Sequence, residues 1–85
     1  MFSSINFDLA KRELTLEAGY GRDRDTIAFT QLVSRSTYRQ GSDAYYIELI
    51  VKDFGKPRRI IAYGDREWAR DDDAARISLI FGGHI

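Results

Sequence analysis

Apolar and polar residues alternate in short runs over the first two-thirds of the chain and change to a helical spacing near its end. Ile5, Phe7 and Leu9 alternate with Asn6 and Asp8, and after Ala10-Lys11-Arg12 the pattern resumes with Leu14 and Leu16 between Glu13, Thr15 and Glu17. A period of two marks strands with one buried face, so these runs predict a hairpin. Gly19-Tyr20-Gly21 and Arg22-Asp23-Arg24-Asp25 form a polar turn, since glycine tolerates positive φ and Asp bonds its own backbone. A third strand runs through Thr26 to Thr30. It either bends onward into Leu32 to Tyr38 or ends at a turn near Gln31, and the residue types leave both open.

Gln40-Gly41-Ser42-Asp43 closes that section and introduces the strongest strand pattern in the chain, Ala44 to Lys52. Tyr45, Ile47, Leu49 and Val51 fall on one face, Tyr46, Glu48, Ile50 and Lys52 on the other, as in a central strand. Asp53-Phe54-Gly55-Lys56-Pro57 is a turn into Arg58 to Tyr63, which completes a second hairpin. After Gly64 the spacing of Trp68, Ala75 and Leu79 predicts a helix from about Asp65 to Phe81, with Asp65 as its cap, Trp68 as a core anchor and Gly82-Gly83 as its stop. Ile77-Ser78-Leu79-Ile80-Phe81 also suits a strand, with Ile77, Leu79 and Phe81 on one face.

Eighty-five residues support one domain, residues 1–85, with an antiparallel sheet over 4–63, the helix over 65–81 and a tail at 83–85 that carries His84. The fold class is α+β: an antiparallel meander of five to six strands followed by one C-terminal amphipathic helix. The absence of cysteine excludes disulfide scaffolds, thiolate metal sites and cysteine nucleophiles. No run approaches the roughly 20 apolar residues of a membrane span, and Met1 to Ser4 lacks the features of a signal peptide, so a cytoplasmic location is the default expectation. Thirteen basic residues balance thirteen acidic ones, which gives no global field for anionic lipid or nucleic acid and favours self-association.

The stretch Ile5-Asn6-Phe7-Asp8 with Arg12-Glu13-Leu14-Thr15-Leu16, then Thr26-Ile27-Ala28-Phe29, the long strand Tyr45 to Lys52 and a helix opening Asp65-Arg66-Glu67 resembles the later part of small bacterial pleckstrin-homology-like domains. The resemblance implies a curved meander with the helix plugging one open end. It covers most of the chain but rests on strand and turn placement alone, and the chain is short of the family's seven strands. Unpaired sheet edges then have to be capped or paired with a second copy.

Both faces of the central strand carry apolar residues while one helix covers only one face, so the other face is expected to meet a protein partner or a second copy. Its residues are Tyr38, Tyr46, Ile50, Ile61 and Tyr63. Loop cations form the second candidate: Lys11 and Arg12 with Arg58 and Arg59 converge on phosphate, either a phosphoinositide headgroup or a nucleic-acid backbone, if the meander brings those turns to one end. Interspersed acids make solvated turns the competing reading. Asp71-Asp72-Asp73 point in different directions on a helix and do not form a hard-cation site, so no metal or cofactor is expected. Gly19-Tyr20-Gly21 mimics the start of a dinucleotide loop and Asp53-Phe54-Gly55 a kinase metal-binding motif, but neither has its required context and both read as turns. With one terminal His and no Cys, catalysis is the weakest class, a Glu17–Glu48 carboxylate pair being its one candidate. The chain therefore reads as a non-catalytic protein-interaction module presenting a sheet edge or aromatic face as a homodimer. Phosphate binding is the alternative, and a small phage-type inhibitor of a larger enzyme is a further one.

Overall fold

The computed structural model describes residues 1–84. Six antiparallel strands form two three-stranded sheets, and one helix follows them. The first sheet contains β1 (Ser4–Asp8), β2 (Glu13–Ala18) and β3 (Asp23–Ala28) in that order; the second contains β4 (Leu32–Gln40), β5 (Ala44–Val51) and β6 (Arg58–Gly64). The expected single meander is thus corrected to two sheets.

The division falls at Phe29–Gln31, a single 3-10 turn. The Gln31 side-chain oxygen accepts from the Ala28 N–H at 2.9 Å, which closes the turn on the last residue of β3. Phe29 buries its ring at this corner, and its N–H bonds the Arg12 carbonyl across the β1–β2 turn. Period-two burial is cleanest on β5, where Tyr45, Ile47, Leu49 and Val51 are buried and the residues between them half-buried. As expected, β5 is the central strand of its sheet. In the first sheet, Ile5, Leu14, Leu16 and Ile27 point into the same core, while Ser4, Asn6 and Thr26 face solvent.

Two joints hold the sheets together. Phe2 bridges in parallel to Ile61: its N–H bonds the Ile60 carbonyl at 2.9 Å and its carbonyl accepts from Ala62 N–H at 2.8 Å, so the start of the chain borders β6 before turning into β1. The second joint is Arg59, only 6% exposed. Its guanidinium reaches Asp25 of β3 at 2.5 Å, Asp53 of the β5–β6 turn at 3.1 Å and the Lys56 carbonyl. A cation buried this deeply persists only when its donors are matched, and here they are.

Helix α1 (Glu67–Phe81) packs on the second sheet through Ala74, Ile77 and Ile80, which settles Ile77 to Phe81 as helix. The side that meets the sheet is opposite to the one expected from the spacing of Trp68, Ala75 and Leu79. Trp68 is 73% exposed, and Ala75 and Leu79 are exposed with it; the Trp68 stripe faces outward, and no core anchor sits there. Arg66 is the N-cap, with no side-chain cap from Asp65. The C-terminus closes as a Schellman motif, with Gly83 N–H bonded to the Ile80 carbonyl and His84 N–H to that of Leu79. Gly83 supplies the left-handed φ of 74° that this closure requires. His84 thus takes part in the helix cap through its backbone N–H; Ile85 lies outside the described residues.

Candidate functional site

The outer face of the second sheet is set by register. Tyr38 pairs with Tyr46 and Tyr46 with Ala62, Ser36 with Glu48 and Glu48 with Ile60, Ser34 with Ile50 and Ile50 with Arg58. Facing residues in antiparallel strands share a side, so the outer face carries Tyr38, Tyr46, Ile50, Ile60 and Ala62, all half-buried. The Tyr38 and Tyr46 rings stack with centroids 4.9 Å apart and planes inclined by 14°. Partial burial, and then the neighbouring Glu48 carboxylate, push the Tyr38 phenol above its ordinary range. Glu48 itself is held by Arg58, so this ion pair on the outer face is internally matched.

Three of the five residues expected on this face, Tyr38, Tyr46 and Ile50, are there. Ile61 and Tyr63 are not: both are buried on the core side, where Tyr63 donates its hydroxyl to Asp73 of α1 at 2.6 Å. Burial and that hydrogen bond push the Tyr63 phenol far upward. Because the side-chain period is two, a one-residue error in the register of β6 exchanges Ile61 and Tyr63 for Ile60 and Ala62.

The hydrogen bonds at Phe2 also fix which edge of the sheet is open. Ile60 and Ala62 turn their backbone groups to Phe2, so Ile61, opposite Ile47, turns its own toward β5. Alternation carries this phase across the sheet. Tyr46, Glu48 and Ile50 bond toward β4, Ser34, Ser36 and Tyr38 bond back, and Arg35, Thr37 and Arg39 hold their N–H and C=O groups on the far edge. The strand ends agree, with Val51 N–H bonded to the Pro57 carbonyl on the β6 side and Lys52 N–H to the Gln31 carbonyl on the β4 side. Among the described residues, no backbone group bonds Arg35, Thr37 or Arg39 on that far edge. Arg35 reaches Ser78 Oγ of the helix at 2.5 Å, while Arg39 is exposed.

The four loop cations expected to converge do not. The Arg12 guanidinium lies over the Phe29 ring at 5.3 Å, Lys11 N–H bonds Asp8 in the first turn, Arg58 pairs with Glu48 on the outer face, and Arg59 is the buried joint. Arg58 and Arg59 instead share a cleft of about 610 Å³ with Arg24, Lys56, Asp23 and Asp25. Its arginines are already engaged: Arg24 by Glu17, Arg58 by Glu48 and Arg59 by two aspartates. Glu17 and Glu48 accordingly sit on different sheets, each beside its own arginine. Among the described residues no three acidic or imidazole groups converge as a metal would require. Asp71 turns to Arg70, Asp72 to Arg76 and Asp73 to Tyr63.

No protein-family model, curated protein or solved structure matches the chain. Among the described residues, no helix is long and apolar enough to cross a membrane.

Proposed function

We propose that the protein is a non-catalytic interaction module that takes an extended acidic segment of a partner protein as an added strand along β4. The observation that carries this is the open β4 edge, where Arg35, Thr37 and Arg39 present backbone donors and acceptors beside the stacked Tyr38–Tyr46 pair. Strand addition draws affinity from main-chain hydrogen bonds and specificity from alternate side chains. Here the alternate positions differ in kind. Residues of the added strand opposite Arg35 and Arg39 meet cations, and those on the other side lie beside Tyr38. Charge also separates an acidic segment from a second copy. Self-pairing about Thr37 sets Arg35 opposite Arg39 of the other chain, and like charges directly opposite are unfavourable.

The pleckstrin-homology-like reading is proposed on the same footing. Six antiparallel strands and a C-terminal helix support it, one strand fewer than the family's seven among the described residues.

The test is titration of a synthetic octapeptide alternating Glu with Val against the wild type, Thr37→Pro and Arg39→Glu. Thr37 donates its N–H to the open edge, so proline there removes an edge donor without touching the ladder to β5. Thr37→Pro is expected to keep the wild-type circular dichroism and weaken binding roughly tenfold, about the contribution of one charge-neutral hydrogen bond plus the lost register. Arg39→Glu weakens it severalfold, and more so at low salt. Equal binding by Thr37→Pro and wild type, or no binding by the wild type, overturns the proposal.

A further inference from the structure

We infer that α1 is a self-association surface on which a second copy of this chain packs its own α1 antiparallel, each Trp68 seated beside the partner's Leu79. The stripe Trp68, Asp72, Ala75, Leu79 runs along the outward side of the helix at spacings of four, three and four, the seam of a helix pair. All four residues are exposed. Ala74, Ile77 and Ile80 already satisfy the core on the opposite side, so the helix carries two apolar stripes, one of which the monomer leaves in water.

Charge chooses both the occupant and its direction. A parallel pair stacks Asp72 on Asp72 at the centre of the seam. An antiparallel pair about the midpoint of Asp73 and Ala74 sets Trp68 against Leu79, Asp72 against the small Ala75, and Arg76 of each helix on the flank that meets Asp72 of the other. Arg76 is placed for this, since it already reaches Asp72 of its own helix at 3.4 Å and remains more than half exposed. The surface is therefore complementary to itself, and a chain of zero net charge adds no long-range repulsion between copies.

The seat for the indole is formed beyond the helix. Leu79 borders a groove of about 320 Å³ with Phe7, Leu9 and Arg76, where Leu9 is exposed and the Arg76 guanidinium lies 5.8 Å from the centre of the Phe7 ring. Trp68 and Leu79 are eleven residues apart, about 16 Å along the helix, so both ends of the pair form the same contact at once. One helix and one groove per copy make a small interface, and association is expected in the micromolar range.

Two measurements test this, independently of the β4 edge. In sedimentation velocity over a concentration series, the wild type moves from monomer to dimer, and Trp68→Glu shifts the midpoint at least tenfold upward with unchanged circular dichroism. Because the chain contains no cysteine, direction can be read by oxidation. An equimolar mixture of Trp68→Cys and tagged Leu79→Cys chains cross-links as a heterodimer, while either variant alone, with its thiols about 16 Å apart along the axis, gives at least tenfold less. A wild type that stays monomeric at millimolar concentration, equal association of Trp68→Glu, or equal cross-linking of a single variant overturns the inference. Trp68→Glu retains peptide binding and Thr37→Pro retains dimerisation, so failure of either surface is distinguishable from failure of the other.

Discussion

Replacing Arg59 by Met removes the side-chain joint between the sheets and keeps the apolar stem in place. The guanidinium serves Asp25, Asp53 and the Lys56 carbonyl, and its removal strands all three. Breaking one side of a fully buried ion pair costs about 3–5 kcal/mol. Asp25 keeps 27% and Asp53 45% of its side-chain exposure, so water takes over much of their solvation. The expected loss falls to about 2–3 kcal/mol, which in a domain of this size lowers Tm by about 10–20 °C. Thermal and urea unfolding followed by circular dichroism measures it. Combining Arg59→Met with Asp25→Asn is expected to cost less than the sum of the two, by at least about 1 kcal/mol, because the carboxylate left behind is part of the penalty. An Arg59→Met variant within about 0.5 kcal/mol of wild type, or an additive cycle, would refute the view that this cluster joins the sheets.

The Tyr63 phenol is pushed upward by burial and by Asp73, so the native state stays protonated where the unfolded chain ionises. Its stabilisation is complete below the ordinary tyrosine value near 10 and declines as pH rises beyond it; absorbance at 295 nm should show one tyrosine ionising only with unfolding, a feature lost in Tyr63→Phe. Asp53 behaves in the opposite sense, its carboxyl held low first by Arg59 and then by the Lys56 and Gly55 amides. That contribution is present above about pH 4 and disappears as pH falls through the depressed native value, so the acid-side decline of Tm should be shallower in Asp53→Asn. Ile77→Ala, at a fully buried site, is expected to cost about 2–5 kcal/mol, whereas Leu79→Ala at micromolar dilution should stay within about 0.5 kcal/mol; a reversal in urea titrations would contradict the assigned helix face.

The elements of the fold are local in the sequence, and that is why they could be read there. Each sheet is built from consecutive strands, and period-two runs such as Tyr45 to Val51 carry their own evidence of pairing. What could not be read depends on residues far apart in the chain. Arg59 resembles any strand cation until Asp25, 34 positions away, is set beside it. Two stripes of α1 share the helical period, and no local signal says which meets the sheet; the size of Trp68 alone favours the outer one. The exchange of Ile61 and Tyr63 for Ile60 and Ala62 comes from the long β5–β6 connection, whose length does not specify register as a two-residue turn would. The break into two sheets has only Gln31 as its sign, a side chain that takes the Ala28 amide.

The clasp formed by Phe2 sets an order of events when the chain is made. Its partners, Ile60 and Ala62, are 58 and 60 positions downstream, which at roughly 5–20 residues per second is about 3–12 s of synthesis. The first sheet can pair once β3 has been made, since all its strands are adjacent in the chain, but Phe2 then has no β6 to bind. During those seconds Phe2 is an exposed aromatic group beside a half-assembled core. The last strand of the second sheet thus completes the binding place of Phe2, which is fixed later than the sheet it leads into.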